Sequence, residues 1–177
     1  MIKLMDPIIK SHKVDISTGL NVHYLEALKN NNKIDSQPTV LLLHGFPELS
    51  FSWRKIMPIL ASEGFRVIAP DMRGYGLTSG GVKKYDVDIS EYRLLNLTTD
   101  ILSLISALKI DKIDLLVGHD AGSSVAGISA LIRPDIFKSV VMMSAPFTGA
   151  PNVESNLSYE DPIHKNLENL NPPRKHY

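Results

Sequence analysis

Apolar residues fall into short runs divided by polar or glycine-rich stretches, and their period changes from run to run. Residues 8–16 and 20–28 alternate loosely between apolar and polar, with Ser17-Thr18-Gly19 between them, which predicts a β-hairpin. A polar loop rich in Asn and Lys follows at 29–37. Residues 39–43, Thr-Val-Leu-Leu-Leu, are a continuous apolar run, as expected of a strand covered on both faces in a parallel sheet. Over 50–62, Trp53, Ile56, Met57 and Leu60 share one helical face; Gly64 suits the C-terminal cap, and Pro58 should kink or shorten the helix. A second buried strand is predicted at 65–69, ended by Pro70, and a glycine-rich loop at 73–85. Leu94, Leu97, Ile101, Leu104, Ile105 and Leu108 then mark an amphipathic helix reaching residue 109. A strand at 113–117, a helix at 121–132 stopped by Pro134, and a strand at 137–143 complete the pattern.

After the hairpin, strands and helices alternate, and every connection is helix-sized. That order predicts a mostly parallel sheet with right-handed crossovers and helices on both faces, an α/β architecture. Beyond Pro146 the pattern changes. Residues 147–177 carry Pro151, Pro162, Pro172 and Pro173 and few apolar positions, and Ile163, Leu167 and Leu170 predict one short amphipathic helix. With no closing strand before Pro-Pro-Arg-Lys-His-Tyr, the fold reads as unfinished.

Composition narrows the classes. At 177 residues, 44% hydrophobic and 21% charged, the chain suffices for one core and is short for two domains. Lys+Arg and Asp+Glu both total 19, so no net field points to nucleic acid or to an anionic membrane. The lack of cysteine excludes disulfides, thiol catalysis and thiolate metal sites. No run approaches the roughly 18 apolar residues of a membrane span. The opening MIKLMDPIIKSHK has no signal-like apolar stretch, so a cytoplasmic location is expected.

The chemistry concentrates at 113–123, Ile-Asp-Leu-Leu-Val-Gly-His-Asp-Ala-Gly-Ser. An apolar strand runs into Gly118-His119-Asp120-Ala121-Gly122 and then into a helix. A sharp strand-to-helix turn with small residues two before and two after its apex presents the apex side chain for nucleophilic attack. That apex is Asp120, and a carboxylate there points to alkyl transfer rather than acyl transfer. Alone the motif is weak, because Asp is also a preferred helix cap; its position between strand and helix favours the nucleophile. At the end of strand 39–43, His44-Gly45-Phe46-Pro47-Glu48 forms a turn that can aim a backbone N–H at the same apex. The Phe46 and Ala121 amides would make a two-donor oxyanion hole, with Pro47 stiffening the turn, a cis bond being one way to do so. Asp71 and Arg73 in Pro70-Asp71-Met72-Arg73-Gly74-Tyr75-Gly76 read as pins for a loop rather than as chemistry.

These segments, HGFPE at 44–48, APDMRGYG at 69–76, GHDAGS at 118–123 and MSAPF at 143–147, resemble the epoxide hydrolase branch of the α/β-hydrolase fold in order and spacing. Trp53-Arg54 is at home there too, and NPPRKHY looks like the entry to that family's helical cap. The resemblance implies an incomplete α/β-hydrolase core over 1–147, with an N-terminal hairpin and a mostly parallel sheet flanked by helices. Residues 148–177 would begin the cap. It also implies Asp120 as the nucleophile that opens an epoxide through a covalent alkyl ester. Phe46 and Ala121 would be the oxyanion donors, and Phe46, Pro47 and Trp53 the lining of an apolar pocket. No cofactor is implied.

The sequence departs from the family at Ala121, where many members have Trp. The late strands that carry the family's histidine and its carboxylate are absent, and Tyr159 and Tyr177 come too early to serve as the cap's tyrosine donors. Each of His12, His23, His44, His119, His164 and His176 reads as a surface or loop histidine rather than as the base. The isolated chain is therefore expected not to turn over, and the apolar strand 137–143 is expected to form an edge prone to pair with another chain. Two readings stay open beside this one. A haloalkane or haloacid dehalogenase would use the same Asp, although Phe46 and Ala121 offer no halide donors. A non-catalytic remnant would act only through its edge. Serine esterase chemistry is disfavoured because its frame would put Ser124 inside the helix.

Overall fold

The strand at residues 39–43 shows how the sheet is built. Its alternate side chains divide between two cores: Leu41 and Leu43 pack into one, Val40 and Leu42 into the other. An apolar run without polar interruptions is what burial on both faces demands. The computed structural model describes residues 9–29, 37–81 and 88–144, all within one compact unit that runs to Phe147. The strands are β1 (Ile9–Asp15), β2 (Asn21–Ala27), β3 (Thr39–Leu43), β4 (Arg66–Pro70), β5 (Leu115–His119) and β6 (Val140–Met143). The helices are α1 (Met57–Ser62), α2 (Leu94–Ala107) and α3 (Ala121–Ile132), with 3-10 turns at Ser50–Lys55 and Ile89–Tyr92.

The sheet order is β1-β2-β4-β3-β5-β6. The expected hairpin pairs β1 with β2 antiparallel, β2 lies antiparallel to β4, and β4, β3, β5 and β6 are mutually parallel. On one face α2 and α3 bury Ile101, Ile105, Val125 and Ala126 against Leu41, Leu43, Ile68 and Leu116. On the other, α1 buries Met57 and Ala61 against Val40, Leu42, Val67 and Val117. Truncating one of the fully buried leucines to alanine in such a core costs about 2–5 kcal/mol.

Helix 121–132 has the expected bounds; other elements differ for local reasons. The predicted helix at 50–62 is split at Ile56 into a 3-10 turn and α1, with Pro58 in the first helical turn. The split breaks the helical phase, so Met57 is buried while Ile56 is exposed. Leu94, at the very start of α2, is also exposed rather than part of the buried stripe. The strand predicted at 137–143 is shortened to β6, because the Ile136 and Phe137 amides turn back to the Arg133 carbonyl. Ile113, predicted to begin a strand, makes only an isolated bridge to Phe137, and β5 starts two residues later. The tail helix, Tyr159, Tyr177, His164, His176 and the cap segment 148–177 lie outside the described residues.

The loop after β4 is pinned as the sequence suggested. Buried Arg73 forks onto both oxygens of buried Asp100, at 2.7 Å each, and reaches Glu91 at 2.9 Å. One correction concerns a histidine. His23 is buried within β2, between β1 and β4, rather than at the surface or in a loop. His44 lies in the turn after β3, as expected, and is roofed by the loop that follows β4.

Candidate active site

β5 ends at His119 and α3 begins at Ala121, so one residue makes the whole turn. That residue is Asp120, at φ 51° and ψ −120°. A non-glycine residue in this region is costly and persists only when its surroundings hold it there. Asp120 N–H donates to the Met143 carbonyl on β6, and Ser123 N–H donates to the Asp120 carbonyl, both at 2.9 Å. The fully buried Ser123 hydroxyl lies 2.7 Å from the Gly118 carbonyl and 2.8 Å from that of Met143, and accepts the Met143 amide at 2.9 Å. The helix start is thereby tied to two strands.

The small residues are demanded by contact. A Cβ on Gly118 would overlap the Gly122 carbonyl, and one on Gly122 would come within 2.5 Å of the Leu43 and His44 carbonyl oxygens. The strand, the helix and the neighbouring turn approach too closely for any side chain.

The turn after β3 completes the arrangement. Phe46 N–H donates to Asp120 Oδ1 at 2.9 Å, and the Ala121 amide at the start of α3 adds a favourable field on this carboxylate. Together the Phe46 and Ala121 amides hold the Asp120 carboxyl below the usual carboxylate range, outweighing its slight burial, with His119 adding a favourable field. Asp120 is half-buried, and Phe46 is 54% exposed. A Cβ on Gly45 would lie 2.5 Å from Asp120 Cβ, so glycine lets the turn come this close. The Phe46–Pro47 peptide is cis.

The turn has its own supports. His44 Nε2 accepts the Met72 amide at 3.0 Å, so the neutral ring carries its proton on Nδ1, which donates to the Gly45 carbonyl at 2.9 Å. Burial pushes the His44 pKa down against the weaker pull of its carbonyl and carboxylate neighbours. The Tyr75 ring meets His44 edge-on, 4.9 Å between centroids. Burial, then the Asp120 carboxylate, raises the Tyr75 phenol. Glu48 Oε2 accepts the Gly45 amide at 3.1 Å and pairs with His119 Nδ1 at 2.8 Å; the bond to His119 is the main reason the Glu48 carboxyl titrates below its ordinary range.

Thus Asp120, Phe46 and Ala121 come together. Pro47 lies in the same turn. Trp53 is half-buried on the 3-10 turn and packs against the core cluster of Met57, Val40 and Val67. Glu48, Ser123 and Tyr75 escaped sequence reasoning, although all three lie inside the motifs at 44–48, 69–76 and 118–123. Ser124 sits within α3, away from the elbow apex. A polar recess of about 600 Å³, lined by Thr39, Arg66, Lys112, Asp114 and Lys138, lies at the opposite end of the parallel strands.

The family model for the alpha/beta hydrolase fold matches residues 38–165. The chain is 45% identical over 134 residues to an epoxide hydrolase of Caballeronia sordidicola, covering 75% of this chain and 37% of the relative. It is 38% identical over 138 residues to epoxide hydrolase B of Mycobacterium tuberculosis, covering 78% and 36%. Among solved structures, an epoxide hydrolase from Vigna radiata aligns with a TM-score of 0.68 at 38% identity, covering 78% of this chain and 41% of that one. One from an endophytic Streptomyces gives 0.67 at 37% identity, covering 78% and 38%. The chain therefore spans about two fifths of the length of the relatives it matches. By motif, sheet order and elbow, it belongs to the α/β-hydrolase fold family and is epoxide hydrolase-like.

Proposed function

We propose that this chain carries the nucleophilic half of an epoxide-opening site, with Asp120 as nucleophile and small apolar epoxides as substrates. The 2.9 Å hydrogen bond from Phe46 N–H to Asp120 Oδ1 carries the reading. It holds Oδ1 on a backbone donor and leaves Oδ2 to react. In the first step, Oδ2 attacks an epoxide carbon, the C–O bond of the ring breaks, and the freed oxygen takes a proton from a donor or water. Asp120 is then an alkyl ester whose carbonyl oxygen is Oδ1. In the second step, water adds to the ester carbon as a base takes its proton, and the charge that gathers on Oδ1 meets the Phe46 amide, with the Ala121 amide beside it. Collapse then breaks the acyl C–O bond, the diol oxygen takes the proton, and the carboxylate is restored. Loss of one such amide donor typically costs about 10²–10³-fold. Phe46, Pro47 and Trp53 are the proposed apolar lining, and the small Ala121 side chain leaves room for a wider substrate.

The second step needs a base for the water. Among the described residues, His23 and His44 have both ring nitrogens engaged in hydrogen bonds, His12 leans on Glu26 and His119 on Glu48. The 177 residues by themselves are proposed to form the ester and not release it, since a placed general base contributes about 10²–10⁴-fold. The β6 edge, where Val141 is 43% exposed, is the surface on which another polypeptide strand would pair. Among the described residues no helix is long and apolar enough to cross a membrane; a cytoplasmic setting is part of the proposal. Diol release measured with excess epoxide tests it: one equivalent consumed without further diol is expected, and sustained diol formation would refute the missing second step.

A further inference from the structure

His23 stands within β2, 4% exposed, with an oxygen partner on each ring nitrogen. Its Nδ1 lies 2.7 Å from Asp71 Oδ2, and its Nε2 lies 2.8 Å from Ser11 Oγ. A carboxylate only accepts, so Nδ1 carries the proton; in the neutral ring Nε2 is then a bare lone pair, and the Ser11 hydroxyl donates to it. Asp71 is 2% exposed and fixed from several sides. Its Oδ1 accepts the Ser50 amide and its Oδ2 the Leu77 amide, each at 2.9 Å. The carboxylate is thus locked, the ring is oriented by it, and the hydroxyl at the far end is on β1, the outer strand, where Ser11 is exposed.

Ser11 itself is exposed on the outer strand, so the hydroxyl end of this hydrogen-bond chain faces solvent while the ring behind it stays buried. Carboxylate to Nδ1 and Nε2 to hydroxyl is the hydrogen-bond chain that makes a serine nucleophilic. Its hydroxyl end, Ser11 on β1, lies four strands away from β5 and the Asp120 elbow.

We infer that Ser11, His23 and Asp71 form a second nucleophilic site, which takes small activated carboxylic esters from solvent. Ser11 Oγ bonds to the acyl carbon as its proton passes to His23 Nε2. The acyl C–O bond then breaks, and the leaving oxygen takes that proton. Water repeats the sequence on the acyl-serine, releasing the acid and restoring the hydroxyl. Asp71 is a positioning residue, holding the ring in the required tautomer.

The test treats the full chain with a fluorophosphonate probe, which bonds to serine oxygen as its P–F bond breaks, and maps the labelled peptides. Ser11 should be labelled about 10²–10⁴-fold faster than exposed Ser52, the range a positioned general base supplies. Ser11→Ala, at an exposed edge position, should keep the circular dichroism spectrum, lose the label and lose p-nitrophenyl acetate hydrolysis. His23→Gln should label slowly; where that variant fails to fold, the Ser11-to-Ser52 ratio in the unaltered chain still decides. No label on Ser11, or labelling at the rate of Ser52, overturns the inference.

Discussion

Phe46 and Asp120 lie 74 residues apart in sequence, yet the Phe46 amide donates to Asp120 Oδ1 at 2.9 Å. One link joins the turn after β3 to the elbow after β5, and those two strands are neighbours in the sheet. The register of β3 on β5, which pairs Leu43 with Gly118, sets both turns at one level. Sheet pairing thereby aims a backbone donor at a side chain.

Gly45 makes that approach physical. In Gly45→Ala the new Cβ would lie 2.5 Å from Asp120 Cβ, so the turn must back away. Overpacking of this kind costs about 1–3 kcal/mol. We expect a lower urea midpoint and, with the Phe46 donor displaced, an Asp120 carboxyl that titrates closer to the ordinary carboxylate range, read by NMR titration.

Ser123 tests how the elbow is held. Ser123→Ala leaves the Met143 amide without its 2.9 Å partner and releases the Gly118 and Met143 carbonyls. Loss of a buried hydrogen-bonding group costs about 1–3 kcal/mol. Faster amide exchange at Met143, beyond any global destabilisation, should mark the loosened junction of α3 and β6.

Arg73 and Asp100 are both about 7% exposed, so each needs the other. Arg73→Met strands the carboxylate and should cost about 3–5 kcal/mol, whereas an apolar replacement of both partners should recover most of that loss. Chemical denaturation of the single variant and of Arg73→Met/Asp100→Leu measures the difference.

His44 gives a pH dependence with a definite sign. Burial lowers its folded pKa below the ordinary value, so the unfolded chain takes up the proton first. Its contribution to stability is intact above about pH 6.5 and is lost as pH falls toward the folded pKa, where the loss levels off. In His44→Gln the amide can still accept from Met72 and donate to Gly45. The urea midpoint should then fall less steeply between about pH 7.5 and 5.5 than in the unaltered chain; equal slopes would contradict the assignment.

What the residues disclosed in advance was mainly what depends on near neighbours. The apolar run at 39–43, the small-residue frame around Asp120 and Pro134 beyond α3 located the sheet centre, the elbow and the helix. Partnerships across the sheet were not legible. His23 looks like a hairpin histidine until β4 places Asp71 against it. Glu48 gives no sign in sequence that it reaches His119, 71 residues on. Asp100 sits at a helical position that reads as polar surface, yet Arg73 draws it inside. The 3-10 turn at 50–55 and the shortening of β6 came from backbone bonds that hydrophobic period does not encode.

The role of Asp120 is tested most directly by incubating the 177-residue chain with a terminal aryl epoxide and mapping the modified peptide by mass spectrometry. One epoxide mass on Asp120, absent from Asp120→Asn, is the predicted result. An unmodified Asp120 in folded protein, or an adduct that persists unchanged in Asp120→Asn, would contradict the account.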